Sequence, residues 1–172
     1  MSSRTNNKFY SDRQEKMIAN YLGWKQVVGS GSRPFIPGDV STFNWLGECK
    51  THNTEKPTIV FLKSHWLKIC EESAAKHRFP VLFKDNGTQL AENTWVMFPL
   101  SMISPEIVNI IDGLHNSSKG ENTLTFNLAD SKQLYSQQAI AARLNVFTIN
   151  WGSRDIAIVP LSVFRDFLED NF

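Results

Sequence analysis

Residues 29–52, GSGSRPFIPGDVSTFNWLGECKTH, constrain the fold more than any other stretch of the chain. Two short runs, 39–43 and 46–51, read as paired strands around a turn. Side chains alternate between faces along a strand, so Glu48 and Lys50 point one way and Cys49 the other. The turn folds Asp39 back beside that pair. The chain must then build a sheet in which one strand carries a carboxylate and an ammonium on one face. Their neighbours Trp45, Leu46 and Cys49 are suited to burial. A carboxylate on such a strand costs free energy unless a metal or a cation meets it.

The flanking sequence alternates helix and strand. Ser11 and Gln14 form a capping box, and Met17, Ile18, Tyr21 and Leu22 make one apolar stripe of a helix that Gly23 ends. Residues 1–8 before it are polar and expected to be loose. Residues 25–30 read as a strand. Gly29, Ser30, Gly31 and Ser32 then form a loop whose exit Pro34 and Pro37 stiffen. Residues 58–76 are expected to form one long helix, with Phe61, Leu62, Trp66, Ile69, Cys70 and Ala74 inward. Strands follow at 79–83 and 94–98, with a turn at Asp85-Asn86-Gly87. Helix, three strands, helix and two strands predict an α/β fold with a mixed sheet.

Beyond residue 103 the pattern predicts a helix over 105–114, a polar linker over 115–122 and a short strand over 124–126. A helix over 131–144, strands at 146–149 and 156–159 around Gly152-Ser153, and a last helix from Ser162 complete the chain. TWVMFPLSMI (94–103) and DIAIVPLSVF (155–164) each run a strand into Pro-Leu-Ser. A local duplication and a recurrent strand-to-helix turn explain this equally well.

At 172 residues and 41% apolar content, one domain with a sizeable core is expected. No run is long and apolar enough for a transmembrane helix, and the first ten residues are too polar for a signal peptide. Cys49 and Cys70 make no disulfide framework and read as reduced thiols in a cytoplasmic protein, the host cytoplasm if a phage encodes it. Net charge is only +1, yet it is uneven. Residues 1–80 hold 12 Lys/Arg against 7 Asp/Glu, and residues 81–172 hold 6 against 10. The N-terminal part is thus the side suited to phosphates.

Singly, Asp39 reads as a turn residue and Glu48–Lys50 as a surface ion pair. Together they set two oxygen ligands and a cation at one point, the grouping for metal-assisted phosphodiester hydrolysis. The order of features resembles the PD-(D/E)xK nuclease superfamily, and within it the archaeal-type and phage Holliday junction resolvases. An acidic residue on the first helix, Glu15 in DRQEKMI, comes first. The Gly/Ser loop 29–32, Asp39 in IPGDV, and the Glu48-Cys49-Lys50 strand follow in turn. The amphipathic helix after them and the strand FPVLF also fit. One departure is that Gly38, not proline, precedes the aspartate, with Pro37 one place earlier.

The resemblance spans residues 11–103. It implies a restriction-endonuclease-like core, a central mixed β-sheet flanked by helices, with residues 104–172 as a C-terminal α/β elaboration. It implies Mg²⁺, with Mn²⁺ able to substitute, on Asp39, Glu48 and the Cys49 backbone carbonyl, and Glu15 joining directly or through water. Lys50 would orient the attacking water or neutralise charge on the phosphorus. Ser30 or Ser32 would bond a phosphate oxygen, and Arg33 a backbone phosphate. Lys56, Lys63 and Lys68 are further candidate phosphate contacts, and His52 reads as a strand-end surface histidine. The implied partner is branched DNA, cut by a homodimer without a membrane. The competing readings are a sequence-specific restriction or repair-type endonuclease, a non-catalytic branched-DNA-binding module and a protein-interaction domain.

Overall fold

The computed structural model describes residues 3–29, 36–111, 118–137, 144–151 and 155–172. Its centre is a mixed sheet built around β3 (Trp45–Lys50), the strand that carries Glu48 and Lys50. On one side β3 pairs antiparallel with β2 (Val40–Ser41), which pairs antiparallel with β1 (Lys25–Gln26). On the other side β3 pairs parallel with β5 (Phe79–Lys84), which continues antiparallel to β6 (Trp95–Pro99). β11 (Asp155–Pro160), β10 (Leu144–Asn150) and β7 (Val108–Ile111) extend the sheet beyond β6. A second sheet joins β4 (Thr58–Leu62), β9 (Thr123–Asn127) and β8 (Ser118–Lys119).

Alternation along β3 divides the core. Trp45 and Cys49 join Ile18 and Ala19 of α1 (Ser3–Leu22) and Phe164 and Phe167 of α4 (Leu161–Asn171) on one face. Leu46 joins Trp66 and Ile69 of α2 (Lys63–Ala75) and Ile59, Phe61 and Phe126 of the second sheet on the other. Glu48 and Lys50 share this second face with Leu46. The remaining described helix is α3 (Leu128–Gln137).

The structure corrects several expectations. The first helix starts by Ser3, not at Ser11. Gln14, read as the partner in a capping box, is fully buried and donates from Nε2 to the Lys50 carbonyl at 2.8 Å. The expected helix over 58–76 is strand β4 followed by α2. In TIVFL the buried residues are Ile59 and Phe61, the period-2 burial of a strand, and β-branched residues favour that state. The expected helix over 105–114 holds strand β7 instead, drawn into parallel pairing with β10. The Gly152-Ser153 turn lies outside the described residues. The two Pro-Leu-Ser segments follow neighbouring antiparallel strands, β6 and β11. One leads into a single 3₁₀ turn, Leu100–Met102, and the other into α4.

Residues after 103 do not form a separate layer. β11 pairs directly with β6, and β9 pairs with β4, so both stretches share each sheet and each core. No described helix is long and apolar enough to cross a membrane.

Candidate active site

The sheet edge positions the site. β2 is two residues long and stops pairing with β3 at Gly47, leaving the last part of β3 without a ladder partner on that side among the described residues. Asp39 fills the gap: its backbone N–H donates to the Gly47 carbonyl at 2.7 Å, and its Oδ2 accepts from the Cys49 N–H at 2.8 Å. The carboxylate is thereby fixed beside the Glu48-Cys49 peptide. The hairpin expected from the sequence is present, and it does bring Asp39 back to the Glu48 strand.

Glu48 is 3% exposed. Its Oε1 meets Lys50 Nζ at 2.5 Å and Lys68 Nζ, from α2, at 3.2 Å. Lys68 also reaches Glu72 at 3.6 Å. Burial alone would raise the Glu48 carboxyl, but Lys50 and then Lys68 hold it below the usual range, so it stays ionised. For Lys68 burial works downward, and Glu48, with Glu72 and Asp39, more than offsets it, so its ammonium titrates above the usual range.

Glu15 behaves in the opposite way. Burial first, and then the charge of Asp39, push its carboxyl from 4.5 to about 7. Asp12 and Glu48 add to the rise, and a hydrogen bond from Gln26 Nε2 at 3.2 Å opposes it. Glu15, Asp39 and Glu48 thus feel one another's charge across a cleft of about 1330 Å³ between α1, α2 and the end of β3, which all three line with Lys50. The Cys49 thiol faces the core, and burial pushes it well above its ordinary range, so it is an inert thiol here.

Among the described residues no three His, Cys, Asp or Glu side chains stand close enough to hold a metal as they lie. The donor chemistry nonetheless fits a hard divalent cation. The three carboxylates around the cleft offer oxygen only, and the part of the Glu15 rise that comes from Asp39, Asp12 and Glu48, after the larger effect of burial, is negative charge that such an ion would relieve. An ion on Glu48 would compete with Lys50 for its carboxylate.

Other expected residues fall elsewhere. Ser30, Ser32 and Arg33 lie outside the described residues. Lys56 is exposed on the loop after β3, and Lys63 opens α2; neither lines the cleft. The lysines that do are Lys8, Lys16, Lys50, Lys68 and Lys76.

Sequence reasoning also missed a buried lysine. Lys84 lies directly across the β3–β5 ladder from Lys50 and is 5% exposed. Its Nζ lies 3.0 Å from Nε2 of His52, which is the exposed strand-end histidine expected and is tied to the sheet by this contact. Burial, chiefly, with the charge of Lys50, brings Lys84 from 10.5 to about 8, against the pull of Asp85. Burial and then Lys84 hold His52 below its ordinary range. His65, one helical turn before Lys68, is lowered by burial and then by Lys50 and Lys84. An uninterrupted apolar FPVLF run ending in lysine was the signal available for Lys84.

No family of known proteins, no curated protein and no solved structure matches the chain.

Proposed function

We propose that this protein is a divalent-metal-dependent DNA endonuclease of the PD-(D/E)xK type, and that its substrate is branched DNA. The observation that carries the reading is the convergence of Glu15, Asp39, Glu48 and Lys50 on one cleft, with Glu48 buried yet ionised. The order of those residues along the chain supports the family assignment, and the resemblance to junction resolvases supports the choice of branched DNA.

Asp39 and Glu48, with the Cys49 carbonyl, would hold Mg²⁺, and Glu15 would complete the set. Bound there, the ion supplies Lewis acidity toward the phosphate and a water acidic enough to attack at neutral pH. The chain's own residues do the rest. The Cys49 N–H fixes the Asp39 carboxylate in place. Lys50, which meets Glu48 at 2.5 Å, would put an ammonium where charge grows on the phosphoryl oxygens. Lys68 keeps a counter-charge on Glu48 from the helix side. Two symmetric nicks in a four-way junction call for two copies of the chain, so the working form is a homodimer.

A non-catalytic branched-DNA-binding module is the second reading, favoured by the engagement of Glu48 with two lysines. A labelled synthetic four-way junction, assayed beside a linear duplex of the same arms with Mg²⁺ or EDTA, separates the two. Paired nicks in the junction, lost in EDTA and reduced about 100-fold or more in Glu48→Gln, are expected. Tight junction binding with no cutting by the wild-type chain would leave only the binding module. Cutting of the linear duplex at fixed sites would move the substrate to a defined sequence.

A further inference from the structure

The cleft has two helical walls of matched spacing. α1 presents Lys8, Ser11, Asp12, Glu15 and Lys16, and α2 presents Lys68, Glu71, Glu72, Ala75 and Lys76, the last just past its end. Both sets fall at i, i+3, i+4, i+7 and i+8, which is one stripe of an α-helix. Each stripe begins and ends in lysine and holds carboxylates between.

The two helices run in the same direction. The end of α2 leads through residues 76–78 to the start of β5, so α2 runs opposite to β5 and β3. α1 turns at Gly23 into β1, which runs with β3, so α1 also opposes β3. Lys68 stands level with Glu48, and Glu15 shares the charge of Asp39 and Glu48. From that level Lys8 lies seven residues back along α1, about 10 Å, and Lys76 eight residues forward along α2, about 12 Å. The two lysines therefore extend in opposite directions from the carboxylates. Lys8, Lys16 and Lys76 are exposed, and among the described residues none of them forms an ion pair.

We propose that Lys8 and Lys76 are the two ends of a track for one backbone strand of a DNA duplex arm, each holding a phosphate that flanks the carboxylate centre. Measured along the helix axes, the two ends lie about 22 Å apart. The inference rests on the endonuclease reading, because it takes the carboxylates as the centre. It adds the substrate's path and two contacts that the sequence pattern did not single out. Lys16 sits beside Glu15, between the ends. The acidic side chains lining the cleft outnumber its lysines by six to five, so a divalent cation assists the strand's entry.

The test reads binding alone. Anisotropy of a fluorescent 14-base-pair duplex is followed against salt in Ca²⁺, and again in EDTA at low salt. Wild type, Lys8→Ala, Lys76→Ala and the double variant are compared, with a thermal melt to confirm folding. Each single change should lower the slope of log K against log[salt] by about 0.9, and the double by about 1.8. A double variant with the wild-type slope would overturn the track, even if Glu48→Gln still abolished cleavage. A reduced slope in a chain that never cuts DNA would retain the track and sink the hydrolase.

Discussion

Lys84 is the residue whose position most needs a reason. Its ammonium is buried, lies across the ladder from another lysine, and has a histidine rather than a carboxylate as its hydrogen-bond partner. Like charges on directly opposed residues destabilise a sheet, and burial costs a charge more than the pull of Asp85 returns to it. Because the folded-state pKa, about 8, lies below the ordinary 10.5, the folded chain binds fewer protons than the unfolded chain between those values. Stability from this group is therefore present above about pH 10.5 and is lost as pH falls through 8. Lys84→Met, similar in length and uncharged, should be more stable than wild type at pH 7, by on the order of 2 kcal/mol after loss of the His52 hydrogen bond. The gain should shrink between pH 8 and 10.5. Chemical denaturation at pH 7 and pH 10 checks this, and a variant less stable than wild type at pH 7 would refute it. The charge is then retained at a cost to the fold, beside the lysine that the proposed chemistry uses.

At the scale of elements, the turn after β5 organises the segment after β3. Asp85 accepts from the N–H groups of Gly87 (3.2 Å) and Gln89 (2.5 Å). Gln89 Nε2 donates to Thr51 Oγ1 (2.9 Å) and the His52 carbonyl (3.0 Å). Gly87 has φ +97°, and a Cβ there would lie 2.2 Å from the Thr54 carbonyl oxygen, a backbone atom with nowhere to go. Gly87→Ala should destabilise by about 2 kcal/mol or more, the left-handed conformation alone accounting for 1–2. A urea midpoint within error of wild type would contradict this. The sequence announced this turn through Asp-Asn-Gly, and it announced the Asp39 hairpin through its polar centre and the face shared by Glu48 and Lys50. Those signals are local, so they survive without tertiary knowledge. Three others do not. TIVFL continues straight into an amphipathic helix, and only pairing with β9 separates β4 from α2. The apolar spacing of Ile107, Val108, Ile110 and Ile111 suits either state, and β10 decides it. Lys8 and Lys76 sit on polar helix faces whose meaning emerges once the two walls face one cleft.

Across the whole molecule, the strand order sets what can fold alone. The stretch that carries every candidate catalytic residue ends near Ile103, yet the strand beside β6 is β11, from the far end of the chain. Val96, Met97 and Phe98 of β6 have no exposed surface, and the cores covering them include Phe147, Ile158, Phe164 and Phe167. On the second sheet β4 has β9 as its partner, and Phe61 packs against Phe126 with ring centroids 6.3 Å apart. A fragment of residues 1–103 therefore loses the partners of two strands, half of one core and over a third of the other, and it exposes a long apolar sheet edge. It should be insoluble or non-cooperative in thermal unfolding, and it should not bind DNA even though it retains Glu15, Asp39, Glu48 and Lys50. Co-expression with residues 104–172 as a separate chain should restore a cooperative melt, because the missing interactions are pairing and burial rather than covalent continuity. A fragment 1–103 that melts cooperatively by itself would show that the sheet tolerates an open edge at β6, and that the C-terminal strands are an addition rather than half of the fold.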